Sequence, residues 1–241
     1  MIFLSYKNDD RLVITIDGPA GAGKSTVAKH LAQTLGYRYI NTGDLYRYVT
    51  YQALKENVNI YDSEIMGVLS KKIASQFLSK ELFRESMEYM FGKNNNDLEK
   101  IHTPEIDKYV SFVARHASVR KNMIQLQRLM AKQKSVVMEG RDIGSVILPN
   151  ADLKIFLVAN KEIRTKRRHQ ELQKKGYIVT LEEVKSEIIK RDSLDSKRAV
   201  APLTIPKDAI IVDTSNKSIG EVIKILLNII NKQEKIDFGN S

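Results

Sequence analysis

Eight consecutive residues constrain this chain more than any others: Gly18, Pro19, Ala20, Gly21, Ala22, Gly23, Lys24 and Ser25, with Thr26 directly after them. They fill the pattern G-x-x-x-x-G-K-[ST], and their surroundings suit it. An apolar run at 12–17 ends just before the first glycine, and a helical pattern starts at Lys24. Glycines at 18, 21 and 23 permit the positive φ angles that turn successive N–H groups inward as an anion-binding nest at a helix N-terminus. A nucleoside triphosphate is the ligand such a loop holds. Lys24 would lie against its β and γ phosphates, and the Ser25 hydroxyl would ligate Mg²⁺.

The rest of the chain reads as alternating strands and helices. Five short β-like runs fall at 12–17, 37–40, 135–139, 153–158 and 209–213. All but the second are nearly continuous apolar runs, the pattern of parallel strands buried on both faces. A helix is predicted at 25–35, with Gly36 as its C-terminal stop. The alternation argues for a doubly wound α/β sheet. Two stretches exceed what a crossover needs. In the first, 63–77 reads as a helix, 88–101 as a hairpin with a loose turn and 104–130 as one or two helices. In the second, a helix at 161–175 breaks at Gly176, and the capping-box spacing of Thr180 and Glu183 starts another that runs to about 194. A last helix is predicted at 219–231, with a polar, frayed tail beyond it. The expected organisation is a core at 11–58, 105–160 and 199–232, an inserted subdomain at 59–104, a helical lid region at 161–198 and a polar tail at 233–241.

Composition narrows the setting. There is no cysteine, so disulfides, thiolate metal sites and cysteine nucleophiles are excluded. The first ten residues show no secretory signal pattern, and the longest apolar run, near 223–230, is too short to span a bilayer. A cytoplasmic protein is expected, acting as a monomer with no membrane partner. The formal net charge of +10 suits a polyanionic partner. Much of it is concentrated between Arg164 and Arg198, where only Tyr177 is aromatic. A nucleic-acid-binding switch would interleave aromatic residues for base stacking. Nucleotides are therefore the expected anions, and no stable nucleic-acid partner is expected.

A phosphate loop alone does not name the phosphate acceptor. The guanine-reading Asn-Lys-x-Asp is missing, because Asn160-Lys161-Glu162 is followed by Ile163. Three groups of residues bear on the acceptor. Arg47 follows the second strand after Thr42-Gly43-Asp44-Leu45-Tyr46, where a ligand crevice is expected and a guanidinium could pin a phosphate. Arg141 and Asp142 lie between Gly140 and Gly144 at the carboxyl end of the third strand. Arg191, Asp195 and Arg198 recur at spacings of four and three, as if on one helical face. On these residues alone, kinases of adenylate or shikimate and an ATP-dependent nucleic-acid binder stay open.

Taken together, 16–26, 42–47, Glu139-Gly140-Arg141-Asp142-Ile143-Gly144 and the segment Arg191 to Leu203 resemble the bacterial cytidylate kinases, a family of nucleoside monophosphate kinases. The resemblance runs from Leu12 to about Asn231. It implies a P-loop fold with five parallel strands in the order 2-3-1-4-5, the 59–104 insertion as a CMP-binding subdomain, and a helical lid. It also implies transfer of the γ-phosphate of ATP to CMP or dCMP with Mg²⁺. Under it Lys24, Arg141, Arg191 and Arg198 are catalytic, and residues Gly18 to Thr26 hold ATP. Thr42 and Arg47 belong to the acceptor site, and Arg47, Arg141, Arg191 and Arg198 surround the phosphates. Ser111, Arg120 and Asp142 read the cytosine edge, and Asp195 helps hold the ribose. The chain departs from the family pattern at Asn41 and Asp44, where an acidic and a small residue are usual, and at His102, where arginine is usual.

Overall fold

The apolar runs become the strands of one sheet. The computed structural model describes residues 12–79, 96–132 and 135–238. Among these, β1 (Val13–Asp17), β2 (Arg38–Asn41), β3 (Val136–Glu139), β4 (Leu153–Val158) and β5 (Ile210–Asp213) form a five-stranded sheet ordered β2-β3-β1-β4-β5. β1 pairs in parallel with β3 and β4, and β4 with β5. β1 lies between β3 and β4, with Ile16 opposite both Glu139 and Ile155. The sheet order expected from the family resemblance is the one observed. The chain divides into two compact units, one of residues 1–39, 134–192 and 204–241, the other of residues 40–133 and 193–203.

In the first unit, the core forms around Ile14, Ile16, Ile155 and Leu157 of the inner strands. Helix α1 (Lys24–Leu35) covers them with Val27, Ala28, Leu31 and Ala32, one face of a 3.6-residue repeat, and ends where Gly36 turns left-handed at φ 67°. The hairpin α7 (Lys161–Lys174) and α8 (Leu181–Ser196) has a small core of its own, Leu172 against Val184 and Ile188. Its second helix starts on the predicted capping box: Glu183 N–H donates to Thr180 Oγ1 while Thr180 N–H donates to Glu183 Oε2. The last helix, α9 (Ile219–Phe238), begins on a second such box, Ser218 with Glu221, which the sequence reading missed.

In the second unit, α2 (Thr42–Lys55), α3 (Ser63–Ser79), α4 (Asn96–Ile101), α5 (Pro104–Val113) and α6 (Ala117–Met130) pack together. Gly67 lets α3 lie close on α6, since a Cβ there would come 2.8 Å from Ser118 Cβ. Asn122 Nδ2 then donates to the Gly67 carbonyl at 3.1 Å.

Four expectations need correction. The hairpin at 88–101 lies outside the described residues up to 95, and its remaining part, Asn96–Ile101, is helical rather than extended. β5 is not buried on both faces: only Val212 is buried, and Ile210 and Ile211 are exposed, because the strand stands at the end of the sheet order. The final helix continues past 231 to Phe238, through Lys232, Gln233, Glu234 and Lys235, residue types that propagate helix well. Helix α8 stops at Ser196, so Arg198 does not share a helical face with Arg191 and Asp195.

Candidate active site

The phosphate loop joins β1 to α1 in the first unit. Gly18, Gly21 and Gly23 all have positive φ, at 145°, 75° and 88°. Three of its carbonyls accept hydrogen bonds from side chains. Lys24 Nζ donates to Pro19 O at 2.8 Å, Arg164 Nη1 to Ala20 O at 2.9 Å, and Thr214 Oγ1 to Ala22 O at 3.1 Å. A loop with its carbonyls so occupied and three glycines at positive φ suits an anion nest, although the Ala22 N–H donates within the loop to the Pro19 carbonyl at 3.4 Å. Helix α7 supports the loop closely: a Cβ on Gly21 would stand 2.9 Å from the Arg164 carbonyl. Arg164 is buried and also donates to Asp192 at 2.7 Å, which joins α7 to α8 beneath the loop. Arg167 grips the turn after β5 through Thr214 Oγ1 at 2.9 Å and the Thr214 carbonyl. Ser25 and Thr26, in the first turn of α1, are exposed.

The acidic residue ahead of the loop has a separate task. Asp17 is buried, and its two carboxylate oxygens accept the N–H groups of Ile143 at 2.9 Å and Gly144 at 2.7 Å. It thereby anchors the turn that carries Arg141 and Asp142. A π-helical turn, Ile143–Ile147, follows, with Val146 and Ile147 N–H groups both donating to the Asp142 carbonyl. Gly144 admits no side chain, as a Cβ would lie 2.9 Å from Thr15 Oγ1. Arg141 is half-buried and Asp142 is buried.

Burial pushes the Asp17 carboxyl up from 3.8 to about 6, against the opposing pull of the two N–H groups; Asp142 adds to the rise and Lys24 reduces it. The folded chain therefore holds this proton more tightly than the unfolded one. Its stabilising effect is complete below pH 4 and is lost as pH rises through about 6. In urea unfolding, the stability of the wild type minus that of Asp17→Asn should fall by about 2 kcal/mol between pH 4 and 7. A difference that does not change with pH would mean that Asp17 titrates as in the unfolded chain.

The second unit holds the other expected residues except Arg191. Asn41 caps α2, its Oδ1 accepting Gly43 N–H at 3.0 Å, and Thr42 and Arg47 are both buried along that helix. The Arg47 guanidinium pairs with Asp107 of α5 through Nη2 and donates from Nη1 to the Ile101 carbonyl at 3.2 Å. Two contacts on two nitrogens fix the plane of the fork and leave further N–H groups for a ligand. Ser111 is buried on α5 and Arg120 on α6. The Arg120 guanidinium carbon stands 5.7 Å from the centre of the Tyr46 ring, a cation–π contact. Asp195 and Arg198 are buried as well, and the Asp195 carbonyl accepts Leu203 N–H at 2.9 Å. Arg191, Arg141 and Asp142 belong to the first unit.

The sequence reading singled out neither Asp17 nor Asp107, nor the separate tasks of Arg164 and Arg167. The density of basic residues after Arg164 was the available signal for the last two. The two carboxylates gave none, since their partners lie 126 and 60 residues away.

The family model described as Cytidylate kinase matches residues 14–232. A protein named cytidylate kinase from Alkaliphilus metalliredigens is 43% identical over 223 residues, covering 92% of this chain and 97% of its own length. One from Bacillus cereus is 44% identical, with the same coverage of both chains. Among solved structures, a gluconokinase from Sinorhizobium meliloti superposes with a TM-score of 0.50 at 14% identity, covering 96% of this chain and 98% of its own. That likeness concerns the fold alone. The family match and the curated relatives span nearly the whole chain, and the chain belongs to the cytidylate kinase family.

Proposed function

We propose that this chain transfers the γ-phosphate of ATP to CMP or dCMP, giving ADP and CDP or dCDP. The observation that carries this reading is the match along 92% of the chain to proteins named cytidylate kinase. Residues Gly18 to Thr26 bind the donor phosphates, with Lys24 on the transferring group. The attacking group is a phosphate oxygen that is already anionic near neutral pH, so the reaction needs no general base. What the protein must supply is alignment of two polyanions and stabilisation of the charge that spreads over the transferring group. Arg47 holds the acceptor phosphate, and Arg141, Arg191 and Arg198 complete the positive surround. Thr42 also contacts the acceptor. Ser111, Arg120 and Asp142 read the cytosine, and Asp195 helps hold the ribose. The α7–α8 hairpin serves as the lid that carries Arg191.

The exposed Ser25 hydroxyl at the start of α1 is a hard oxygen donor beside the phosphate nest, which suits Mg²⁺. Bound there with ATP, the ion would neutralise phosphate charge. We read the protein as cytoplasmic and monomeric. Among the described residues no helix is long and apolar enough to cross a membrane.

A coupled assay of ADP release across CMP, dCMP, UMP, AMP and shikimate tests the acceptor. CMP and dCMP should give the highest kcat/KM, with UMP poorer. A pocket whose buried polar groups match one base penalises another by leaving those groups unpaired. Fastest turnover with UMP, AMP or shikimate would reject the assignment.

A further inference from the structure

Two of the positions that depart from the family pattern touch each other. His102 Nε2 lies 3.0 Å from Asp44 Oδ1, although the two residues come from different segments of the second unit. Asp44 is 5% exposed and sits in the first turn of α2, while His102 follows the last residue of α4. The contact lacks hydrogen-bond alignment, for Asp44 Oδ1 accepts no aligned hydrogen bond.

The location gives the pair a consequence for binding. Asp44 and Arg47 are three residues apart on α2, so their Cβ atoms are neighbours, roughly 5–6 Å apart. A buried carboxylate beside an arginine that receives a phosphate works against it, because it repels the same dianion that the arginine attracts. Asp107 already pairs with Arg47. His102 is the group set against Asp44. As imidazolium it offsets the carboxylate charge from 3.0 Å. The residue before it, Ile101, is fully buried and offers the carbonyl that Arg47 grips. One short segment thus both orients the arginine and offsets the carboxylate beside it.

We propose that His102 is a compensating residue for acceptor binding, screening Asp44 from the acceptor phosphate held by Arg47. The proposal rests on the assignment of Arg47 to that phosphate. It makes a prediction that an ordinary structural contact does not make. His102→Ala uncovers the carboxylate and should raise KM for CMP about tenfold, with KM for ATP changed less than twofold. Removing the carboxylate as well, by combining Asp44→Ala with His102→Ala, should return KM for CMP to within about twofold of wild type. Asp44→Ala alone should leave KM for CMP unchanged or lower it. If the pair merely held the fold together, the double variant would bind CMP no better than His102→Ala does, and that result overturns the proposal.

His102→Ala leaves a buried carboxylate without its counterpart, so His102→Lys is included as a charge-keeping variant. It should hold KM for CMP near wild type, and a rise as large as that of His102→Ala would also count against compensation. Arg47→Ala separates the premise from the inference. It should raise KM for CMP at least a hundredfold, and if it leaves that KM unchanged, the acceptor assignment is wrong whatever the other variants do.

Discussion

Lys24→Ala should lower kcat about a thousandfold while the protein stays folded. Lys24 is buried at the first position of α1, and its ammonium group donates to the Pro19 carbonyl. In the proposed reaction that ammonium is the fixed positive charge nearest the transferring phosphoryl group. Removing one preorganised donor from such a position typically costs two to three orders of magnitude in rate, about 3–4 kcal/mol of transition-state stabilisation. The effect on folding is of another order. The lost hydrogen bond is worth about 1 kcal/mol, and the alanine has helix propensity to offset part of it. Steady-state ADP release with CMP as acceptor should collapse, while the circular dichroism spectrum is kept and Tm moves by only a few degrees. An active Lys24→Ala enzyme would remove the lysine from the mechanism.

The largest effect on stability should come from Gly18→Ala. At φ 145° the backbone is in a region that favours glycine, and a Cβ there would stand 2.2 Å from the Leu157 carbonyl oxygen. That oxygen belongs to β4, which pairs with β1 through Ile16 to Ile155 and Asp17 to Phe156, so neither strand can move aside without disturbing the register at the centre of the sheet. A contact this short against backbone, added to the dihedral strain, should cost about 3 kcal/mol or more. Gly36→Ala is the matched control. Its φ is also positive, at 67°, but its Cβ would meet nothing within 4 Å, and the expected cost is about 1 kcal/mol. Urea unfolding of the two variants separates strain from overlap. Equal losses would show that the Leu157 contact is not what makes Gly18 necessary.

Features set by neighbours in sequence were legible before any coordinates. The loop Gly18 to Ser25 needs only the glycines and the strand and helix around it, and its three positive φ angles follow from the residue type. The Thr180–Glu183 cap and the Gly36 stop are also local. The misread features depend on distant chain. Whether Ile210 and Ile211 are covered depends on whether another strand lies beyond β5, which their own apolar character does not reveal. The spacing of Arg191, Asp195 and Arg198 fits a helix, but the helix ends between the last two. The acceptor half was harder still. The resemblance picked out Arg47, but not Asp107, which orients it from 60 residues away. It marked Asp44 and His102 as two separate oddities, and their meaning as one contact exists only in the fold.

The three tied carbonyls of the phosphate loop bear on when its order is acquired. Pro19, Ala20 and Ala22 are held by donors from α1, α7 and the turn after β5, and those donors are in place only once the sheet and helices of that unit have formed. The loss of backbone freedom that a mobile glycine-rich segment would suffer on meeting a nucleotide therefore occurs during folding instead. In the proposed reaction a triphosphate would arrive at a loop whose shape is already set, and little of its binding energy would be diverted into ordering the chain.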